Sequence, residues 1–165
     1  MAKILIPAQH PEDWKQFLAE PEKQWRAGYS AKALADCWQR TPGFPPEVER
    51  LLKTSLAFRD VEMLYGIPEL QTPLPGGARP SQTDLWVLAR ASDGLVSIAV
   101  EGKVSEPFGD LVADWIEPAT PGKQKRLAYL CELLALMESD ALPLRYQLLH
   151  RTASAVLEAR RLFAP

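Results

Sequence analysis

Residues 83–103, TDLWVLARASDGLVSIAVEGK, constrain this chain more than any other stretch. Two apolar runs rich in strand-forming residues flank Asp93-Gly94, a dipeptide favoured in two-residue hairpin loops. The spacing predicts an antiparallel hairpin with strands 84–91 and 95–104, which excludes a fold built only of helices. With Asp93 and Gly94 as the loop, Ser92 pairs with Leu95, which sets Asp84 against Lys103 and Trp86 against Glu101. Directly opposed Cβ atoms lie about 5 Å apart, and alternate residues share a face. Asp84, Glu101 and Lys103 therefore project from one face. The other face carries Leu85, Val87 and Ala89 against Val96, Ile98, Val100 and Gly102, an apolar surface that calls for a packed helix. A one-residue slip would mix charge into it, and a three-residue turn would cause that slip unless a bulge absorbed the extra residue.

The flanking sequence reads as helical on both sides. PEDWKQFLAE opens with Pro11 and two acids and spaces Trp14, Phe17 and Leu18 along one helix face. Ser30 is placed to cap a helix through AKALADCWQR, which Pro42-Gly43 ends. PPEVERLLKTSLAF puts Val48, Leu51, Leu52 and Leu56 on one side, and RDVEMLY reads as a further short helix or turn. A short strand near 69–74 and a Pro/Gly-rich loop lead into the hairpin. After it come a short helix near 110–116 and a helix over about 121–137, capped by Thr120, that stacks Leu127, Leu130, Cys131 and Leu134. The last helix, in LRYQLLHRTASAVLEARRLF, turns Leu149, Ala153, Val156 and Leu157 inward. Helices, then strands, then helices give an α/β or α+β class. The length of 165 residues suits one domain over 1–165, with 1–45 a helical N-terminal extension and 46–165 the core. Five tryptophans, at 14, 25, 38, 86 and 115, read as core anchors.

No run of about 18 apolar residues occurs, so no transmembrane helix and no membrane partner are expected. The apolar run in MAKILIPAQHPEDW is too short for a secretory signal. Cys37 and Cys131 spell no zinc or redox motif, and two reduced thiols point to the cytoplasm. A net charge of −2 excludes a general polycation. The segment 121–165, with seven basic and four acidic residues, is nevertheless positive, compatible with a local face for polyanions or with ordinary solvated helices.

Three charges at one end of an otherwise apolar hairpin need a reason. Two nearby carboxylates repel, and a cation reconciles them. Two carboxylates with a backbone carbonyl and waters suit Mg²⁺, a hard ion that keeps much of its hydration. A lysine beside the ion can position a water and stabilise negative charge developing on phosphorus. The plainer alternative is a cross-strand Asp84–Lys103 ion pair of at most about 1 kcal/mol. Acid-x-Lys also occurs as Asp13-Trp14-Lys15, in a presumed helix.

At these residues the chain resembles the PD-(D/E)XK nuclease superfamily, the restriction-endonuclease-like fold. PSQTDLWV supplies the acid of the first hairpin strand, Asp84, and SIAVEGK supplies E-x-K as Glu101 and Lys103. Thr83 stands where the superfamily's name has proline. The chain is also similar to a bacterial protein family of no assigned activity through GGARPSQTDLWVLAR, EGKVSEPFG and RYQLLHRTASAV. The nuclease resemblance implies an αβββαβ core over about 46–137, with a small mixed sheet around the hairpin. It implies that Asp84 and Glu101 bind Mg²⁺, or Mn²⁺ in its place, and that Lys103 assists the attacking water. It also implies an auxiliary glutamate, for which Glu62 is the main candidate beside Glu49 and Glu69. The activity implied is hydrolysis of nucleic-acid phosphodiesters; a nuclease fold that binds without cleaving is the alternative. LPLRYQLL is the sole candidate for the strand expected after the helix at 121–137. A second copy or a partner chain could complete that core.

Two sets of side chains are candidates to meet nucleic acid. Lys123, Gln124 and Arg126 open the helix after E-x-K, where cations at a helix N-terminus suit phosphate. A capped, solvated first turn is the alternative. Arg145, Gln147, His150 and Arg151 form the second set. His150 is an acid–base candidate or a structural histidine.

Overall fold

The computed structural model describes Ile4 and residues 8–162. Strands β1 (Glu62–Thr72), β2 (Ser81–Ala91) and β3 (Gly94–Val100) form an antiparallel sheet in the order β1-β2-β3. The expected mixed sheet is thus not seen among the described strands; Ile4 contributes an isolated parallel bridge to Gly66. Residues 62–65, expected in a helix or turn, begin β1. The buried positions here, Val61 and Met63, are two apart, which is the strand period rather than the helical one.

The hairpin turns one residue earlier than its sequence suggests. Ala91 pairs with Gly94, so the loop is Ser92-Asp93. Neither loop residue has positive φ, which the mirror-image turn requires; Gly94 takes φ 133° instead. Asp60 fixes the turn by accepting from the Ser92 amide at 3.3 Å and from its hydroxyl. The pairing shifts by two positions, and a shift of two keeps every side chain on its expected face. Leu85 pairs with Val100, Val87 with Ile98 and Ala89 with Val96. Trp86 pairs with Ala99 rather than Glu101, and Asp84 comes level with Glu101 rather than Lys103. Because β3 ends at Val100, Glu101 and Lys103 lie just beyond the strand.

The apolar face is covered by the N-terminal layer. Trp14, on a 3₁₀ helix at Pro11–Phe17, packs with Ala35 and Trp38 of α2 (Ser30–Gln39) and with Phe44 against Leu85, Val87 and Ala89. Two short helices, α1 (Pro21–Gln24) and α3 (Pro46–Leu52), complete this layer. The Trp14 ring N–H donates to Gln39 Oε1 at 2.9 Å, and Gln39 Nε2 donates to the Ala8 carbonyl at 2.7 Å. Residues 8–44 therefore share one core with the sheet. In α3, Val48 and Leu52 pack against it, whereas Leu51 and the following Leu56 are exposed.

The opposite face is covered by α7 (Tyr146–Arg161), which packs on β2 and β3. Together with α4 (Val112–Trp115), α5 (Pro121–Leu133) and α6 (Glu138–Ala141), it builds a second cluster around Val112, Leu127, Leu130, Leu149 and Ala153. The α5 helix has the expected Thr120 cap but ends before 137, where Ala135 takes φ 54° and reverses the chain. No strand follows α5 among the described residues. LPLRYQLL makes one isolated bridge, Arg145 to Leu111, and then becomes the start of α7. Leu149 and Ala153, four apart and both buried, carry that helical period. Phe163, expected at the end of this helix, lies outside the described residues. The result is a mixed α+β architecture, a three-stranded antiparallel sheet between two helical layers. Among the described residues no helix is long and apolar enough to cross a membrane.

Candidate functional site

Adjacent strands bring three carboxylates into one row. Pro68 pairs with Leu85 and Leu70 with Thr83, which sets Glu69 opposite Asp84. Asp84 is in turn level with Glu101. Glu69 takes φ 53° within β1, a left-handed conformation uncommon for a residue with a Cβ. Such positions cost about 1–3 kcal/mol and concentrate at functional sites.

The row is ringed by donors. The Gly102 amide donates to Asp84 Oδ2 at 2.9 Å. Glu101 Oε1 accepts from Lys103 Nζ at 2.5 Å and from Gln147 Nε2, while Oε2 accepts from Arg151 Nε at 2.5 Å. Arg151 Nη2 stands 3.9 Å from Asp84 Oδ1. Gln82 Nε2 donates to Glu69 Oε2 at 2.9 Å. Burial, then the neighbouring Asp84 charge, pushes the Glu69 carboxyl up to about 8. Burial, then the Glu101 charge, pushes Asp84 up to about 6 against the opposing pull of the Gly102 amide, Arg151 and Lys103. Glu69 is therefore largely protonated near neutral pH, and Asp84 ionises later than an ordinary aspartate.

These side chains open into a cleft of about 410 Å³, within the usual size range of ligand sites. Glu69, Asp84, Glu101, Lys103, Gln147 and Arg151 form its charged side. Its other side is the N-terminal layer, including Lys23, Trp25, Tyr29 and Leu34. Helix α2 seats directly on the E-x-K segment: a Cβ placed on Gly102 would lie 3.3 Å from Ser30 Cβ and 3.4 Å from Leu34 Cδ1. Ser30 does not cap its own helix. Its amide and hydroxyl both donate to Glu106 Oε1 at 2.8 Å, and the amides of Val104 and Ser105 donate to Oε2 at 3.1 Å. Burial alone would raise this carboxyl, but the bonds from Ser30 and the loop amides outweigh it and hold Glu106 at about 2.

The other sequence candidates stand elsewhere. Glu62 lies at the turn end of the sheet, opposite Arg90, whose Nη2 reaches its Oε2 at 2.9 Å. Glu49 pairs with Lys53 on α3. Lys123 Nζ donates to the Glu117 carbonyl at 3.0 Å and sits 5.8 Å from the Trp115 ring centroid. Gln124 is exposed on the first turn of α5. Arg126 is spent on the loop before β2, donating to the carbonyls of Pro75 and Arg79 at 2.8 Å. That loop meets the start of α5. Gly76 takes φ 83°, and a Cβ there would lie 2.1 Å from the Gly122 carbonyl oxygen. The loop thus packs on one side of the helix start, while Gln124 and Lys125 stay exposed.

His150 does not line the cleft. Its Nδ1 is 2.8 Å from the Ser81 hydroxyl, which Arg151 Nη1 approaches at 3.1 Å. Burial, then Arg151 and Arg126, drive its pKa down to about 3, so the ring is neutral. The arginine donates to the hydroxyl oxygen, and the hydroxyl also reaches the His150 carbonyl oxygen at 3.4 Å. His150 and Ser81 thus brace Arg151. Of the seven substrate-facing candidates, Gln147 and Arg151 reach the carboxylates, and Arg145 donates to the Gly109 carbonyl at 2.7 Å. Sequence reading did not single out Ser81, Gln82, Glu106 or a cleft role for Trp25. Two of these partnerships span 69 and 76 residues, beyond any local periodicity.

A family model described as Domain of unknown function (DUF6946) matches residues 7–165. No curated protein and no solved structure matches the chain.

Proposed function

The chain belongs to the DUF6946 family, and we propose from its own side chains that it is a Mg²⁺-dependent nuclease of PD-(D/E)XK type. In this reading the sheet and its flanking helices form a restriction-endonuclease-like core. The observation that carries the reading is that Asp84, Glu101 and Lys103 converge on one open cleft rather than splaying to opposite sides of the sheet.

The donor set suits the ion in chemistry. Burial and mutual repulsion raise Glu69 to about 8 and Asp84 to about 6, and a hard divalent cation would add to the positive charge that Lys103 and Arg151 already bring to the row. Among the described residues no cluster of three His, Cys, Asp or Glu side chains is spaced as a ready metal cage. This reading assigns the ion to a sparse set, Asp84 and Glu101, which would leave Mg²⁺ or Mn²⁺ much of its water. When bound, such an ion would polarise a phosphate oxygen and acidify a water. Lys103 Nζ, held against Glu101, orients the attacking water and balances negative charge growing on phosphorus. Arg151, braced by Ser81 and His150, presents its guanidinium to the phosphate.

A second reading, a nuclease-like protein that binds without cleaving, is favoured by one specific contact. Arg151 donates to Glu101 Oε2 and stands 3.9 Å from Asp84, so a guanidinium already supplies positive charge between the acids. Incubation with Mg²⁺ and single- or double-stranded DNA and RNA separates the two. Wild type is expected to cleave, and Asp84→Asn and Lys103→Ala to cleave more slowly by on the order of 10²-fold or more. Binding by the wild type with no cleavage of any substrate establishes the second reading instead.

A further inference from the structure

We infer that the N-terminal layer makes this cleft a single-strand site, with a base of single-stranded nucleic acid stacking on Trp25 while its phosphate meets Lys103 and Arg151. The inference rests on the nuclease reading and adds to it the form of the substrate.

The cleft has two unlike sides at a fixed separation. One is the carboxylate row with Lys103 and Arg151. The other carries Trp25 and Tyr29, the latter exposed. Lys15 Nζ and Lys32 Nζ each lie 5.6 Å from the Trp25 ring centroid, and Lys23 lines the same side. Both ammonium groups stand over the ring, so an incoming base takes their place on it; an aromatic ring and cations lining one cleft with Lys103 and Arg151 are the equipment that single-strand binders use: stacking for the base and cations for the backbone.

The separation is fixed because the aromatic side is fastened to the catalytic side. Glu106, three residues after Lys103, takes both the amide and the hydroxyl of Ser30 at the start of α2. Gly102 admits Ser30 and Leu34 at distances that an added Cβ would crowd, at 3.3 and 3.4 Å. Trp25, five residues before Ser30, packs on the same core as Trp14 and Trp38. A roof held this closely over Asp84 and Glu101 leaves a space suited to an unpaired nucleotide. A base held in a duplex is already stacked on its neighbours and cannot offer a face to Trp25 unless it is extruded.

The test uses the full chain carrying Asp84→Asn, in Mg²⁺, which keeps Lys103 and Arg151 and lets binding be measured with turnover slowed. Fluorescence anisotropy compares a labelled single-stranded oligonucleotide with the duplex of the same sequence. The single strand is expected to bind at least about tenfold more tightly. Adding Trp25→Ala should weaken single-strand binding by about 5- to 100-fold, the loss of one stacked base, and Trp25→Phe should restore much of it. Tyr29→Ala, at a more exposed ring, provides a second variant with the same expected direction should Trp25→Ala not fold. Duplex binding as tight as single-strand binding overturns the inference, as does single-strand binding indifferent to both Trp25→Ala and Tyr29→Ala. Wild-type cleavage of duplex in preference to single strand leaves the nuclease reading standing and removes this inference alone. Absence of both binding and wild-type cleavage removes both.

Discussion

On one face of the β2–β3 hairpin, Leu85, Val87 and Ala89 meet Val96, Ile98 and Val100 beneath Trp14 and Trp38. On the other, Asp84 and Glu101 are met by Gln147 and Arg151 from α7. The same two strands carry both faces, so backbone pairing cannot account for the difference. The first face is stabilised by excluding water and gains from every buried methylene. The second keeps ionisable groups close together in a partly desolvated place, which costs stability and retains chemical potential for a cation. One side of the sheet is apolar along the hairpin, and the other buries Trp86 and Leu88 and carries the charged row at its end.

Breaking the apolar face should have the largest effect. Leu85 is fully buried at its centre, and Leu85→Ala is expected to lower unfolding free energy by about 2–5 kcal/mol in urea titration. A loss well under 1 kcal/mol would mean that the N-terminal layer does not pack there as described.

The polar face should reveal itself in pH. Glu69 and Asp84 hold protons in the folded protein at about 8 and about 6, above the values of the unfolded chain. Their contribution to stability is therefore full below the ordinary carboxylate range and is lost as pH rises through those values. The fall is at most about 1.4 kcal/mol per pH unit for each such proton. Glu69→Gln should flatten the upper part of the fall and raise stability at pH 8 to 9, and saturating Mg²⁺ should flatten it in the wild type. Thermal melts across pH 5 to 9 measure both; a wild-type profile unchanged by Glu69→Gln would contradict the crowded-carboxylate picture.

The smallest effect sharpens the contrast from the apolar side. Thr83 is fully buried one residue before Asp84, and among the described residues its hydroxyl has no hydrogen-bond partner. Thr83→Val removes an orphaned polar group at nearly constant shape, and a gain of up to about 1–2 kcal/mol is expected in the same titrations. A loss would reveal a partner for that hydroxyl.

The apolar face was legible in the sequence because strand periodicity is local. Val87 and Ile98 were assigned to the correct face even though the turn was placed one residue late, since the error moved the pairing by two. The polar face was legible only in part. Asp84, Glu101 and Lys103 could be grouped from one hairpin, but the pairing error set Asp84 against Lys103, when it stands level with Glu101. Glu69 was a weaker candidate than Glu62 because β1 was read as starting after a helix; once β1 begins at Glu62, Glu69 falls opposite Asp84. Lys123, Gln124 and Arg126 stand outside the cleft for a different reason. A loop some 50 residues earlier packs against the first turn of α5 and takes the Arg126 guanidinium, a contact no spacing rule contains. Arg151 was found as a cation on a helix, but its bracing by Ser81 and His150 depends on tertiary packing alone.

The most direct test of the carboxylate row is isothermal titration of Mg²⁺ into the wild type, Asp84→Asn and Glu101→Gln, each shown to be folded. The account predicts a saturable heat in the wild type that both variants lose. Identical titrations for all three proteins, or no heat in the wild type under any buffer, would contradict it.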